Sequence, residues 1–276
     1  MTFKGYNVSA RGASHIAKDM DCQDFSGITC ADRYCAAVVS DGHGGDRHFR
    51  SGTGAEAAVD ISLEAVKEFV SNEADFLPTM AGRYAAVLRQ LAGCISARWA
   101  DAVTAHFHEN PITESEKEAF EKYYTDGNIL ADTNFSAIYG ATLIVAVITE
   151  SYSFVIQTGD GACVVITQDG GCLIPDETID ENLCLGYTTS LCDSNALDNF
   201  RYYFSQCAQK AIILSTDGVV DSYGREDFLR FNNALQDLFL DDYDEAYTHL
   251  SDWLPRLSEL GSKDDMSVAG VFCIKG

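Results

Sequence analysis

The sequence predicts an α+β fold, two antiparallel β-sheets stacked face to face with helices outside. Three observations carry this. Short apolar runs such as residues 34–40, 141–148 and 211–216 read as buried strands rather than helices. Strand patterns precede helical ones, then do so again before a final strand, unlike the βαβ alternation of a parallel sheet. Short turns join successive strand patterns between residues 143 and 167, which predicts an antiparallel meander there.

Taken in order, residues 6–10 form a short mixed strand, 25–30 an alternating one and 34–40 a nearly continuous apolar one. Residues 53–71 are helical, with Ala57, Ile61, Ala65, Glu68 and Phe69 near helical spacing. A second helix spans 82–105 with Tyr84, Val87, Leu88, Leu91 and Ile95 on one face; residues 109–135 read as a charged helical turn and a polar loop. Strands return at 143–149, 153–158 and 163–167, separated by Glu150-Ser151-Tyr152 and Gly159-Asp160-Gly161. After a polar, irregular stretch at 168–200 come strands at 200–204 and 211–215, helices at 225–239 and 243–260, and a closing strand at 266–274.

Composition narrows the class. With 276 residues, only 4 prolines and no linker-like stretch, one single-core domain over 1–276 is expected. No signal peptide is visible, and the longest apolar run is far too short to span a bilayer. The 10 cysteines are scattered without a C-x-x-C pair, which reads as free thiols in a reducing, cytoplasmic compartment. A net charge of −23 argues against nucleic acid and anionic membranes as partners and is compatible with divalent cations where carboxylates converge. Glu114 to Glu118 and Asp241 to Glu245 read instead as solvated helix faces.

The informative acids stand at strand ends. Asp41-Gly42-His43-Gly44-Gly45 follows the 34–40 strand, and glycines there let a metal or phosphate approach the backbone. Asp24 precedes the 25–30 strand, Asp160 lies in a tight glycine turn, Asp217 follows the 211–216 run, and Asp264 and Asp265 precede the last strand. Asp is also a favoured turn residue, so each alone means little; the recurrence at strand tips points to a hard-cation site for Mg²⁺ or Mn²⁺. Asp24, Asp41, Asp217 and Asp264 bring four negative charges, which two divalent ions neutralise. Two ions about 3.5–4 Å apart can share and activate one water for in-line attack, which suits phosphate-monoester hydrolysis. His43, two residues from Asp41, is the histidine placed to protonate a leaving alkoxide. The chain lacks a cysteine with an arginine six positions later, a Gly-Lys pair and a Gly-x-Ser-x-Gly elbow, which excludes three other chemistries. Gly52-Thr53-Gly54-Ala55-Glu56-Ala57 has dinucleotide-fingerprint character but does not directly follow a strand.

These residues, in this order, resemble the metal-dependent protein phosphatase family, type 2C, over about residues 8–274. Cys22-Gln23-Asp24, Asp41 to Gly45, Gly140-Ala141-Thr142, Gly159-Asp160-Gly161, Ser215 to Asp221 and Asp264 to Val268 carry the resemblance; the Ser14-His15 and Cys22-Gln23-Asp24 pairing resembles its bacterial branch. The resemblance implies an αββα sandwich. It implies that Asp41 bridges two Mn²⁺ or Mg²⁺ ions with the Gly42 carbonyl on one, that Asp217 and Asp264 hold the other, and that Asp24 acts through water. It also implies Asp160 at a labile third ion and His43 as general acid. Gln23 stands where many members carry Glu, and the window 15–21 lacks their phosphate-gripping Arg, leaving His15 or Lys18 for that contact. Asp265 stands where the family has Asn, adding local negative charge. The expected function is hydrolysis of phosphoserine or phosphothreonine in proteins, opposite a cognate Ser/Thr kinase. The competing readings are a catalytically weak module binding phosphorylated partners and a small-molecule phosphatase.

Overall fold

β1 (Thr2–Ala10) leads through the short α1 (Ala13–Lys18) to a hairpin of β2 (Asp24–Ala31) and β3 (Tyr34–Asp41). The computed structural model describes residues 1–124, 134–178 and 188–274. Helices α2 (Ser51–Ser71), α3 (Glu73–Glu109) and α4 (Lys117–Tyr124) follow the hairpin. Then come β4 (Leu143–Thr149), β5 (Ser153–Thr158), β6 (Ala162–Ile166), β7 (Cys172–Leu173), α5 (Ala196–Asn199), β8 (Arg201–Ser205) and β9 (Ala211–Ser215). The chain closes with α6 (Asp217–Val220), α7 (Arg225–Asp241), α8 (Tyr243–Leu260) and β10 (Met266–Ile274). Two five-stranded antiparallel sheets result, in the orders β1-β10-β9-β6-β7 and β2-β3-β4-β5-β8. The fold is an αββα sandwich.

Each central strand is apolar on both faces because both faces are covered. In β4, Leu143, Val145 and Val147 pack among residues of α2 and α3, whereas Ile144, Ala146 and Ile148 pack between the sheets. β3 divides the same way, with Ala36 and Val38 toward the helices and Cys35, Ala37 and Val39 inward. β9 sends Ile213 toward α7 and α8 and Ile212 and Leu214 inward. The period of two thus persists in space although both sets are hydrophobic, which is why these runs look unbroken in the sequence.

Three expectations are corrected. β6 does not continue a meander with β4 and β5; the Gly159-Asp160-Gly161 turn carries the chain into the other sheet, where β6 pairs with β9. A tight turn looks the same in sequence whether its strands pair or part. Here Gly161 lies against the Ser215 carbonyl, which a Cβ would approach to 2.6 Å, and accepts a bond from Gln157 Nε2 at 2.6 Å. The helix expected from Gly82 does start there, after non-helical φ/ψ at Arg83, but a further helical segment carrying Pro78 runs into that kink from Glu73. Cys30 and Cys35, directly opposed across β2 and β3, are joined in a disulfide rather than free. Parts of the irregular stretches at 109–135 and 168–200, residues 125–133 and 179–187, lie outside the described residues.

The glycine-rich start of α2 is a packing device. A Cβ on Gly54 would stand 1.9 Å from the Tyr139 carbonyl oxygen, while the Gly54 carbonyl accepts a bond from buried Trp99 Nε1 at 2.9 Å. Gly54→Ala is therefore expected to destabilise the protein by about 2 kcal/mol despite alanine's better helix propensity, as read by its chemical denaturation midpoint.

Candidate metal centre and active site

The two sheets present their acids at one end of the sandwich. Asp24 opens β2 directly opposite Asp41 at the end of β3. The β3 tip is clamped to the start of β4: Asp41 N donates to Thr142 Oγ1 (3.0 Å), Thr142 N donates to Asp41 O (2.8 Å), and Ser40 Oγ donates to Thr142 O (2.6 Å). Gly42 N donates to Gln23 O at 3.1 Å, and Cβ-less Gly42 lies against the Ser51 backbone. The facing sheet contributes Asp160 from the crossing turn and Asp217 from the start of α6. Thr216 joins the sheets, donating through Oγ1 to Asp24 Oδ2 (2.6 Å) and accepting from Ser267 N (2.8 Å). One carboxylate oxygen each from Asp41, Asp160 and Asp217 lies within 4.8 Å of the others.

The electrostatics show what this arrangement lacks. Burial first, and neighbouring carboxylates next, hold Asp24 and Asp41 well above the usual carboxylate range; Asp217 lies near both. Burial, then Asp160 and Asp264, push Asp217 up to about 6. Asp221, one turn after Asp217, is raised by burial and then by Asp160 and Asp264. No Lys or Arg forms an ion pair with Asp24, Asp41, Asp160 or Asp217 among the described residues. An all-oxygen donor set in which burial first, and neighbouring carboxylates next, disfavour ionisation of Asp24, Asp41 and Asp217 fits a hard divalent cation, which would offset that cost.

His43 follows Asp41 by two residues and packs against Gly140 and His48. Its backbone N–H donates to Gly140 O at 3.1 Å, and its ring meets His48 edge-on with centroids 5.1 Å apart. Burial, then His48, lowers the His43 pKa to about 4. His48 Nδ1 bonds the Ala137 carbonyl. A Cβ on Gly140 would lie 2.7 Å from His43 Cδ2 and 2.9 Å from His48 Nδ1, so only glycine lets both rings close on the backbone here.

The sequence profile described as protein phosphatase 2C matches residues 11–255, most of the chain. The chain belongs to the protein phosphatase 2C family. Among solved structures it is similar to the catalytic domain of the serine/threonine protein phosphatase PstP in complex with two manganese ions, at 15% identity and TM-score 0.57, covering 99% of each chain. It is also similar to PstP/Ppp of Mycobacterium tuberculosis (13% identity, TM-score 0.57, all of both chains) and to PppA of Pseudomonas aeruginosa (14%, TM-score 0.58, 99% of each). At these identities the likeness is one of fold. No curated protein matches the chain by sequence. No helix among the described residues is long and apolar enough to cross a membrane.

Within this phosphatase 2C fold, the acids singled out by sequence fall into two groups. Asp41, Asp160 and Asp217 come together, with Asp24 alongside Asp41. Asp264 is exposed at the outer edge, where its Oδ1 accepts from Asp265 N at 2.9 Å. Asp265 is not a loose extra charge. It is buried, with Oδ1 accepting from Gly12 N (2.6 Å) and Oδ2 accepting from Gln23 N (2.6 Å) and pairing with His15 Nδ1 (2.8 Å). It thereby ties the loop before Asp24 to the start of β10. His15 spends one ring nitrogen on this brace, and Lys18 is exposed at the end of α1. Thr142, Thr216 and Asp221 stand in the motifs that carry the family resemblance but were given no role of their own, and His48 was not singled out. Asp221 alone carried a signal, being the second acid four residues after Asp217 on a helical turn.

Proposed function

We propose that this protein is a divalent-metal-dependent phosphatase that removes phosphate from serine and threonine residues of proteins. The observation that carries the reading is the convergence of Asp41, Asp160 and Asp217 oxygens within 4.8 Å, drawn from both sheets. In this reading Asp41 and the Gly42 carbonyl would hold two Mn²⁺ or Mg²⁺ ions. Asp217 and Asp264 complete the set, Asp24 contributes through water, and Asp160 serves a third ion. Such ions supply charge neutralisation and water activation at neutral pH.

The chain's own residues do the rest. The Thr142 and Thr216 bonds hold Asp41 and Asp24 in place, so the donor set is preorganised rather than assembled on binding. His15, through its second ring nitrogen, or Lys18 is the phosphate contact in this reading. His43 holds the proton taken by the leaving alkoxide. Its low affinity for a proton in the free site rises when a phosphate dianion enters beside it, since a nearby anion favours the imidazolium. The protein acts as one domain over residues 1–276 in a bacterial cytoplasm, opposite a Ser/Thr kinase.

Hydrolysis of p-nitrophenyl phosphate with Mn²⁺, repeated with excess EDTA, tests the reading; activity that survives chelation overturns it. His43→Asn separates the acid from the metal ligands. Serine-phosphate hydrolysis is expected to fall about a hundredfold, while p-nitrophenyl phosphate, whose phenolate leaves without a proton, falls far less. Equal losses on both substrates would remove His43 from that role.

A further inference from the structure

A cleft of about 820 Å³ opens beside the strand tips that carry Asp24 and Asp41. It lies between the loop before β2, the first turns of α2 and the segment joining α3 to α4. Its inner wall adjoins the loop that leads to Asp24. Gln23, which lines the cleft, accepts the bond from Gly42 N and immediately precedes Asp24. Gly52, also lining it, stands next to that loop, where a Cβ would make ordinary contact with the Cys22 carbonyl oxygen at 3.6 Å.

The lining combines apolar surface with acidic charge, and Arg11, outside the lining, donates to the Met20 carbonyl at 3.2 Å. Met20, Phe25 and Pro111 supply side-chain packing. Its one cation, Arg50, is spent: it is buried and bonds both Glu116 carboxylate oxygens at 2.7 and 2.9 Å, and the Asn110 and Pro111 carbonyls at 2.9 and 3.1 Å. That brace fixes the outer wall. Asp19, Asp21 and Glu56 remain, all exposed and in no ion pair among the described residues. The whole chain carries a net charge of −23.

We propose that this cleft receives the polypeptide flanking the phosphorylated residue and selects substrates with lysine or arginine beside the phosphoserine or phosphothreonine. The inference rests on the phosphatase reading above. A phosphoryl group at the Asp24 and Asp41 tips leaves its neighbours in the chain at the mouth of the cleft. Their ammonium or guanidinium groups meet Asp19, Asp21 and Glu56, while their aliphatic stems lie on the apolar lining. An acidic flank meets like charge, and this repulsion does as much for selection as the attraction.

Steady-state kinetics on two phosphothreonine peptides, alike except for Lys/Arg or Glu flanks, test it. The basic peptide is expected to have about tenfold higher kcat/KM, from a few exposed charge pairs. The ratio should shrink at high salt and collapse or invert in a double variant, Asp21→Lys with Glu56→Lys. Equal rates on the two peptides, or a ratio unmoved by salt, overturn the cleft assignment even where the variant does not fold. p-Nitrophenyl phosphate, which has no flanking chain, is run in parallel on the unaltered protein with Mn²⁺. No turnover of it overturns the phosphatase reading, whereas turnover with equal peptide rates overturns the cleft alone.

Discussion

Asp41→Asn is expected to lower p-nitrophenyl phosphate turnover about a thousandfold while raising the melting temperature of the metal-free protein. The loss follows from the position of Asp41, whose carboxylate is common to the oxygen cluster and to the opposed pair with Asp24. Ion-supplied charge stabilisation is worth several kcal/mol, and each 1.4 kcal/mol is about a factor of ten in rate. The gain in stability has the same origin. The bonds that clamp residue 41 to Thr142 use its backbone, so asparagine keeps them. What disappears is a buried carboxyl held well above its usual range, first by burial and then by Asp24 and Asp217. A carboxyl with a raised folded pKa costs stability at every pH above its unfolded value, and an amide does not. Activity assays paired with thermal melts in EDTA check both halves. An active variant, or one that melts below the parent at neutral pH, contradicts this account.

The second large effect is a Mn²⁺ response that grows with pH. In the metal-free protein, Asp217 is raised from 3.8 to about 6, so its contribution to stability declines as pH climbs through that window. His43, lowered from 6.5 to about 4, works the other way over nearly the same interval, because the unfolded chain gains its proton first on acidification. The two are similar in size, about 3 kcal/mol each by linkage, and offset one another there, so the slope left to the metal-free protein is the loss of stability with rising pH that the raised Asp24 and Asp41 carboxyls bring. Metal binding breaks the balance, since the ion must displace protons from Asp41, Asp24 and Asp217 but not from His43. At pH 5 much of the binding energy goes into that displacement; at pH 7.5 it does not. Free Mn²⁺ at about a thousand times its Kd stabilises by about 4 kcal/mol, or roughly 10 °C in a chain of this size. Thermal melts with Mn²⁺ and with EDTA at both pH values read the difference. A shift equal at pH 5 and 7.5 would mean that these carboxylates are not the ligands.

The strand tips were legible because acids there interrupt strongly apolar runs, and a buried strand announces itself by hydrophobicity alone. Asp24, Asp41, Asp160 and Asp217 were all found in that way. The charge expected of Asp265 does act on Asp24, but its bracing role was not legible because its partners, Gly12 N and Gln23 N, stand more than two hundred residues away. The crossing at Gly159-Asp160-Gly161 was misread because local turn chemistry does not say which sheet a strand joins.

By itself, then, the amino-acid order determined the αββα class, the approximate extent of nearly every strand and the identity of the acids, since each depends on patterns within a few residues. Tertiary structure alone decided that Asp160 joins Asp41 and Asp217 more closely than Asp264 does. It alone decided that Asp265 and His15 form a brace and that Arg50 is consumed by Glu116, leaving the neighbouring cleft acidic. The reason is physical: burial and pairing between distant segments set which carboxylates carry charge, and neither is a local property of the chain.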